Sequence, residues 1–146
     1  MIHITENRKA RFNYEILDTV ECGIVLVGSE MKPLRDKKAS LVEAYAKFIG
    51  NELYLMQALI SISPTSTHFN HDETRQRKLL LHKKELERLK KQLEEKHLSA
   101  IPMKLYINDR GKVKVRLGIG RGKKTVDKRE TIKKREQDRE MKRQLK

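Results

Sequence analysis

The chain opens on alternation. Phe12, Tyr14 and Ile16 are separated by polar residues, a period of two that predicts a strand with one buried face. Gly23-Ile24-Val25-Leu26-Val27-Gly28 is a short apolar run bounded by glycines. It predicts a strand buried on both sides or bent at a barrel corner. Residues 33–40 are polar and hold Pro33, which predicts a loop or a short helix. Residues 44–49 and 53–62 flank Gly50-Asn51, a hairpin signal. Residues 63–72 are turn formers and predict a surface loop.

The period then lengthens. Residues 77–98 contain no Gly or Pro, and Leu79, Leu86 and Leu93 recur every seven with Leu89 between them. This predicts one amphipathic helix, fraying after Lys91 and packed on the domain's own sheet. A leucine zipper shares the pattern, but about two heptads fall short of the roughly three or four a coiled coil needs. Strands return at 103–107 and 112–119 around the turn Asn108-Asp109-Arg110-Gly111. Val113, Val115, Leu117 and Ile119 alternate with Lys114, Arg116 and Gly118, one face apolar and the other basic. Such a sheet can pack a core and face phosphates together.

Charge sharpens this reading. Among 146 residues, 34 Lys and Arg stand against 20 Asp and Glu, for a net charge of +14. The length fits one domain, or a small domain with a tail, and the charge points to a polyanionic partner, nucleic acid or an anionic membrane. The single cysteine, Cys22, excludes an intramolecular disulfide and a Cys-based zinc site. No apolar run approaches the roughly 20 residues of a membrane span. The first residues lack the order of a signal peptide and the Gly that myristoylation needs. A cytoplasmic protein without membrane attachment is expected. Residues 121–146 hold 12 Lys or Arg and five Asp or Glu, so half the net charge lies in the last 26 residues. With only Ile132, Met141 and Leu145 as sizeable apolar residues after Val126, this segment has helix propensity but no docking face. It reads as a basic tail, disordered or fraying when free, that folds on an anionic surface. A tail kept only for solubility would need no such basic excess.

Candidate chemistry is sparse. His68-Phe69-Asn70-His71-Asp72 suggests a metal site, but spacing places no third ligand and incidental loop histidines are the better reading. Neither metal nor cofactor is expected. Gly118 to Lys124 resembles a phosphate-binding loop, yet Leu117 stands where the first Gly belongs and Lys124 where Ser or Thr belongs. Glycines beside three cations still suit close approach to RNA phosphates. No catalytic triad, Cys/His set or carboxylate pair stands out, so nothing argues for an enzyme. Arg8, Lys9 and Arg11 precede the first strand, as an exposed arm or a phosphate clamp. Aromatics are only 5%, which favours recognition of folded RNA by shape over base stacking.

The segments NRKARFNYEI (7–16), ECGIVLVGSEMKPLR (21–35), FNHD (69–72), RKLLLHKKEL (77–86) and GRGKKTVDKRE (120–130) resemble, in order, the SsrA-binding protein (small protein B) family. The resemblance covers nearly the whole chain. It implies a mainly β fold with flanking helices: an OB-like closed β-barrel over 1–120 and a basic C-terminal tail over 121–146, disordered or helical on binding. It implies an RNA-binding protein, not an enzyme, that holds the tRNA-like domain of transfer-messenger RNA and brings it to stalled ribosomes in trans-translation. The tail would occupy the small-subunit decoding region and the empty messenger channel. Elongation factor Tu and alanyl-tRNA synthetase would be partners through the shared RNA, and the RNA-bound protein would be a monomer.

By matched position, the resemblance makes Asn7, Glu21 and Leu80 contacts to RNA. The residues alone allow Asn7 to cap a turn, Glu21 to hold a neighbouring cation, and Leu80 to be core. Lys9, Arg11, Lys32, Arg35, Lys78, Lys123 and Lys124 would be the accompanying RNA-binding cations. Asp127, Lys128, Arg129, Lys133, Lys134 and Arg135 would carry the tail onto the ribosome. Two departures matter. The family carries Tyr or His before its Asp-Lys-Arg, where this chain has Val126, so Asp127-Lys128-Arg129 would act by charge and helix start. The usual Gly ahead of the Pro102 strand is His97, which bears on the helix end. A function from another class, a structural ribosomal protein with an RNA-threading tail, fits the same composition.

Overall fold

The computed structural model describes residues 1–62 and 71–123. Strand β1 (Ile2–Glu6) leads into a single helical turn, α1 (Ala10–Asn13), then the long strand β2 (Tyr14–Ile24) and helix α2 (Gly28–Arg35). Strands β3 (Ala39–Ser40), β4 (Tyr45–Ile49), β5 (Glu52–Met56), β6 (Leu59–Ile60) and β7 (Arg77–Leu80) follow. Helix α3 (Lys83–Glu95) then leads to β8 (Ser99–Ile107) and β9 (Val113–Gly122).

The main sheet runs β1-β8-β4-β5-β7-β2-β9, and β9 also pairs with β8, closing six strands into a barrel with β1 outside the ring. Closure relies on β9, which pairs along one edge with β2 and along the other with β8. On the far side, β8 meets β4 through the small residues Ala100 and Ala46. The two-stranded sheet β3-β6 stands apart. Alternation on β9 aims Val113, Val115, Leu117 and Ile119 inward, where they meet Leu53, Leu55, Leu79, Leu105 and Cys22 in one cluster. Helix α2 adds Leu34 and α3 adds Leu89 to that cluster, so both helices pack on the barrel. Burial raises the Cys22 thiol to about 12, with Glu85 and Glu21 pushing the same way.

Several local expectations hold. The β4–β5 hairpin turns at Gly50-Asn51, with Ile49 opposite Glu52 and Gly50 at φ 65°. Strand β9 alternates as read, and the helix uses Leu86, Leu89 and Leu93 against the barrel. His97 lies at φ 53°, the left-handed position at a helix end where a glycine costs least.

Others are corrected. Phe12 belongs to α1, and β2 starts only at Tyr14. Its period of two is broken by a bulge between Ile16 and Asp18 that leaves Leu17 exposed. The run 24–27 is not a doubly buried strand: β2 stops at Ile24, and Val25 and Val27 are exposed on the way into α2. The second arm of the hairpin does not reach Ile62; it stops at Met56, where Gln57 takes φ 58° and redirects the chain into β6. Residues 77–80 are strand, not helix, because pairing to β5 and β2 captures them. The helix also persists to Glu95, beyond the expected fraying point.

Candidate nucleic-acid interface

Leu80 and Glu21 lie 59 positions apart in sequence, yet both line one open cleft of about 760 Å3. Strand register brings them there. On β2, Gly23 pairs with Leu80 of β7 on one side and with Lys114 of β9 on the other. Leu79 turns into the barrel and Leu80 turns out, 50% exposed, which removes the core reading of Leu80. Lys112 and Lys114 line it as well, as do His82 and Glu85 at the start of α3. The floor is apolar, with Ile24, Leu26, Met31 and Leu81.

Glu21 does not hold a neighbouring lysine. Its carboxylate accepts a hydrogen bond from the Tyr106 hydroxyl of β8. Burial and that bond together push the Tyr106 phenol above its ordinary range, with Arg116 opposing. Glu21 therefore presents a positioned acceptor on an otherwise basic sheet face: Arg116 lies directly opposite it, and Lys104 lies next across the ladder.

Asn7 is 8% exposed and carries structural bonds. Its side chain donates to the Leu41 carbonyl at 3.3 Å, its N–H to Met103 at 2.8 Å, and its carbonyl accepts from Ala10 at 3.3 Å. It shares a second, smaller cleft with Lys9, Asn13 and Tyr45. Arg11 is exposed nearby on α1, while Lys32 and Arg35 are exposed on α2. Lys78 sits on the outer sheet face, paired with Glu52 at 2.9 Å; Glu52 also accepts from Tyr54 at 2.7 Å. Lys123 donates its N–H to the Asn13 carbonyl at 2.9 Å, so the chain leaves the barrel beside α1. Lys124, Asp127, Lys128, Arg129, Lys133, Lys134 and Arg135 lie outside the described residues, as do His68, Phe69 and Asn70.

Two sequence readings change here. The glycines of 118–122 do not all serve a phosphate: Gly118 and Gly120 are buried against neighbouring strands, and a Cβ on Gly120 would fall 2.0 Å from the Glu15 carbonyl oxygen. His71 is buried, its Nε2 donating to the Ile60 carbonyl at 2.7 Å and its Nδ1 meeting Ser29 Oγ at 3.0 Å. No cluster of metal-ligating side chains occurs among the described residues.

A feature the sequence did not signal supports the cleft from behind. Glu30 of α2 and Arg77 of β7 are both fully buried and paired, with Arg75 on the second carboxylate oxygen at 2.7 Å. Arg77 also donates to the carbonyls of Ala58 at 2.8 Å, Arg75 at 3.0 Å and Glu73 at 3.2 Å. The Val27 N–H donates to Glu30 at 2.9 Å. Burial pushes the Glu30 carboxyl up, but these hydrogen bonds outweigh it and hold the group below its usual range. The pair ties α2 to β7, and with them Met31 and Leu80, which both line the cleft. A separation of 47 residues hides it from any local pattern.

No helix among the described residues is long and apolar enough to cross a membrane. Comparison with known proteins is consistent throughout. Residues 4–146 match the family described as SmpB protein. An SsrA-binding protein of Sinorhizobium fredii is 48% identical over 98% of this chain and 90% of its own length. One of Brucella canis is 49% identical over 97% and 90%. A solved structure described as "tmRNA-SmpB: a journey to the center of the bacterial ribosome" contains a chain that is 48% identical, with a TM-score of 0.69 over 83% of this chain and 85% of that one. With a closed barrel, an acceptor set in a basic face and a family match from end to end, this chain belongs to the SmpB family of SsrA-binding proteins.

Proposed function

We propose that this protein binds the tRNA-like domain of transfer-messenger RNA and carries it to stalled ribosomes in trans-translation. The observation that carries this reading is the meeting of Glu21 and Leu80 on one cleft walled by Lys112 and Lys114. The relatives are SsrA-binding proteins, and the solved neighbour concerns transfer-messenger RNA and the bacterial ribosome. The barrel of 1–120 grips the RNA, with Asn7, Lys9, Arg11, Lys32, Arg35 and Lys78 around the grip. The tail of 121–146 engages the small-subunit decoding region through Lys123, Lys124 and the cations that follow. The role is one of binding and delivery without catalysis, in the cytoplasm. Elongation factor Tu and alanyl-tRNA synthetase meet the protein only through the shared RNA.

The test is a salt titration of the full chain on the tRNA-like domain against alanine tRNA. A preference for the former that survives moderate salt is expected, since shape-specific contacts are less salt-dependent than phosphate contacts alone. Equal binding that collapses with salt would overturn the proposal. A chain ending at residue 123, just past β9, is expected to keep that preference and lose tagging on stalled ribosomes. Leu80→Ala is expected to weaken RNA binding while changing unfolding stability by about 0.5 kcal/mol or less, the usual range for an exposed side chain. Denaturant unfolding beside the binding titration checks both halves.

A further inference from the structure

The cleft holds more chemistry than a basic surface needs. Glu85, His82, Lys112 and Lys114 all line it, and none of their side chains has a hydrogen-bond or ion-pair partner among the described residues. Carboxylates and lysines that share a cleft without pairing to one another are available to an outside ligand. Glu85 and Glu21 line the same cleft, so two carboxylates face it together. The floor is apolar and the opening wide, at about 760 Å3. Gly23 keeps that floor clear: a Cβ there would stand 3.3 Å from Leu80 Cβ and 3.8 Å from Lys114 Nζ.

Resting on the RNA-binding reading above, we propose that this cleft takes one unstacked guanine of the bound RNA. Glu85 accepts its N1–H and N2–H together, and Lys112 and Lys114 hold the flanking phosphates. Among the four bases, only guanine offers two adjacent donors on its Watson–Crick edge. Adenine and cytosine set one donor beside a ring-nitrogen acceptor, and uracil sets one donor between two carbonyls. A carboxylate with two free oxygens matches the first and repels the others. The apolar floor, with Leu80 at its edge, receives the base plane, as unstacked RNA bases are held elsewhere.

The test uses the full chain and three single-stranded pentanucleotides that carry guanosine, inosine or adenosine at the centre of a uridine strand, followed by fluorescence anisotropy. Guanosine is expected to bind about tenfold tighter than either other strand, the discrimination of one bidentate base contact. Glu85→Gln is expected to reduce that preference to about twofold or less, since the amide meets the guanine donors with a donor of its own. Its thermal midpoint is expected to be unchanged, because the side chain is exposed. Lys114→Ala is expected to weaken all three strands alike and to lower the salt slope by about one. Equal binding of the three strands, or an undiminished guanosine preference in Glu85→Gln, would overturn the assignment. A chain that prefers guanosine but fails to prefer the tRNA-like domain would instead overturn the proposed function.

Discussion

Glu30→Ala is expected to cost about 3–5 kcal/mol of folding stability, the range measured when one partner of a buried ion pair is removed. The reason is what remains. Arg77 is fully buried, and without the carboxylate its charge keeps only the carbonyls of Ala58, Arg75 and Glu73. A domain of this size holds a total stability of about 5–15 kcal/mol, so the variant is expected to be marginal at best. Replacing both partners with apolar residues of similar volume, Glu30→Met with Arg77→Met, is expected to recover much of the loss, because neither charge is then left unpaired. Urea unfolding of the single and double variants measures both. A double variant no better than the single would show that the carbonyl contacts of Arg77, not its charge pairing, hold the segment.

The same pair sets an acid limit. The Glu30 carboxyl is held below its unfolded value, so its contribution to stability is complete above the unfolded range, near about 4.3, and is lost as pH falls through the lower folded value. Stability is therefore expected to drop on the acid side, and Glu30→Gln is expected to flatten that part of the profile. An identical acid profile for the two proteins would show that other carboxylates govern the transition.

Gly120→Ala is the second large effect, expected at about 3 kcal/mol, the upper end for overpacking. The added carbon would meet backbone: the Glu15 carbonyl oxygen at 2.0 Å, its carbon at 2.8 Å and Ile16 Cα at 3.1 Å. Backbone cannot rotate aside as a side chain can. Gly120 also pairs with Ile16 on one edge and Ser99 on the other, beside the β2 bulge, so yielding there would disturb both seams that close the barrel. Gly118→Ala is the control. Its Cβ would meet Met103 Sδ at 2.6 Å, the end of a flexible thioether, so a smaller loss is expected. Thermal unfolding of the two variants ranks them, and a Gly118 variant as damaged as the Gly120 one would show that Met103 has no room to move.

The sequence by itself determined what depends on near neighbours. Alternation from Val113 to Ile119 settles which face of β9 is inside, since side-chain direction in a strand has a period of two. Gly50-Asn51 sets the hairpin because the first turn residue needs positive φ. Leu86, Leu89 and Leu93 define the buried stripe of α3 by helical spacing, and the ordered motifs point to the family.

Only the tertiary structure decided the fate of residues 77–80. Locally they continue a helical pattern free of Gly and Pro. Pairing of Lys78 with Tyr54 and of Leu80 with Gly23, together with burial of Arg77 against Glu30, makes them a strand. Tertiary structure likewise turned a glycine-rich, cationic stretch into a packing seam at Gly118 and Gly120, and gathered Glu21, Leu80, Glu85 and Lys114 from four elements into one cleft. Periodicity reports which face of a segment is apolar. It carries no information about which distant segment supplies the partner for a buried charge or the next strand of a barrel, and those long-range pairings place the side chains that line the cleft.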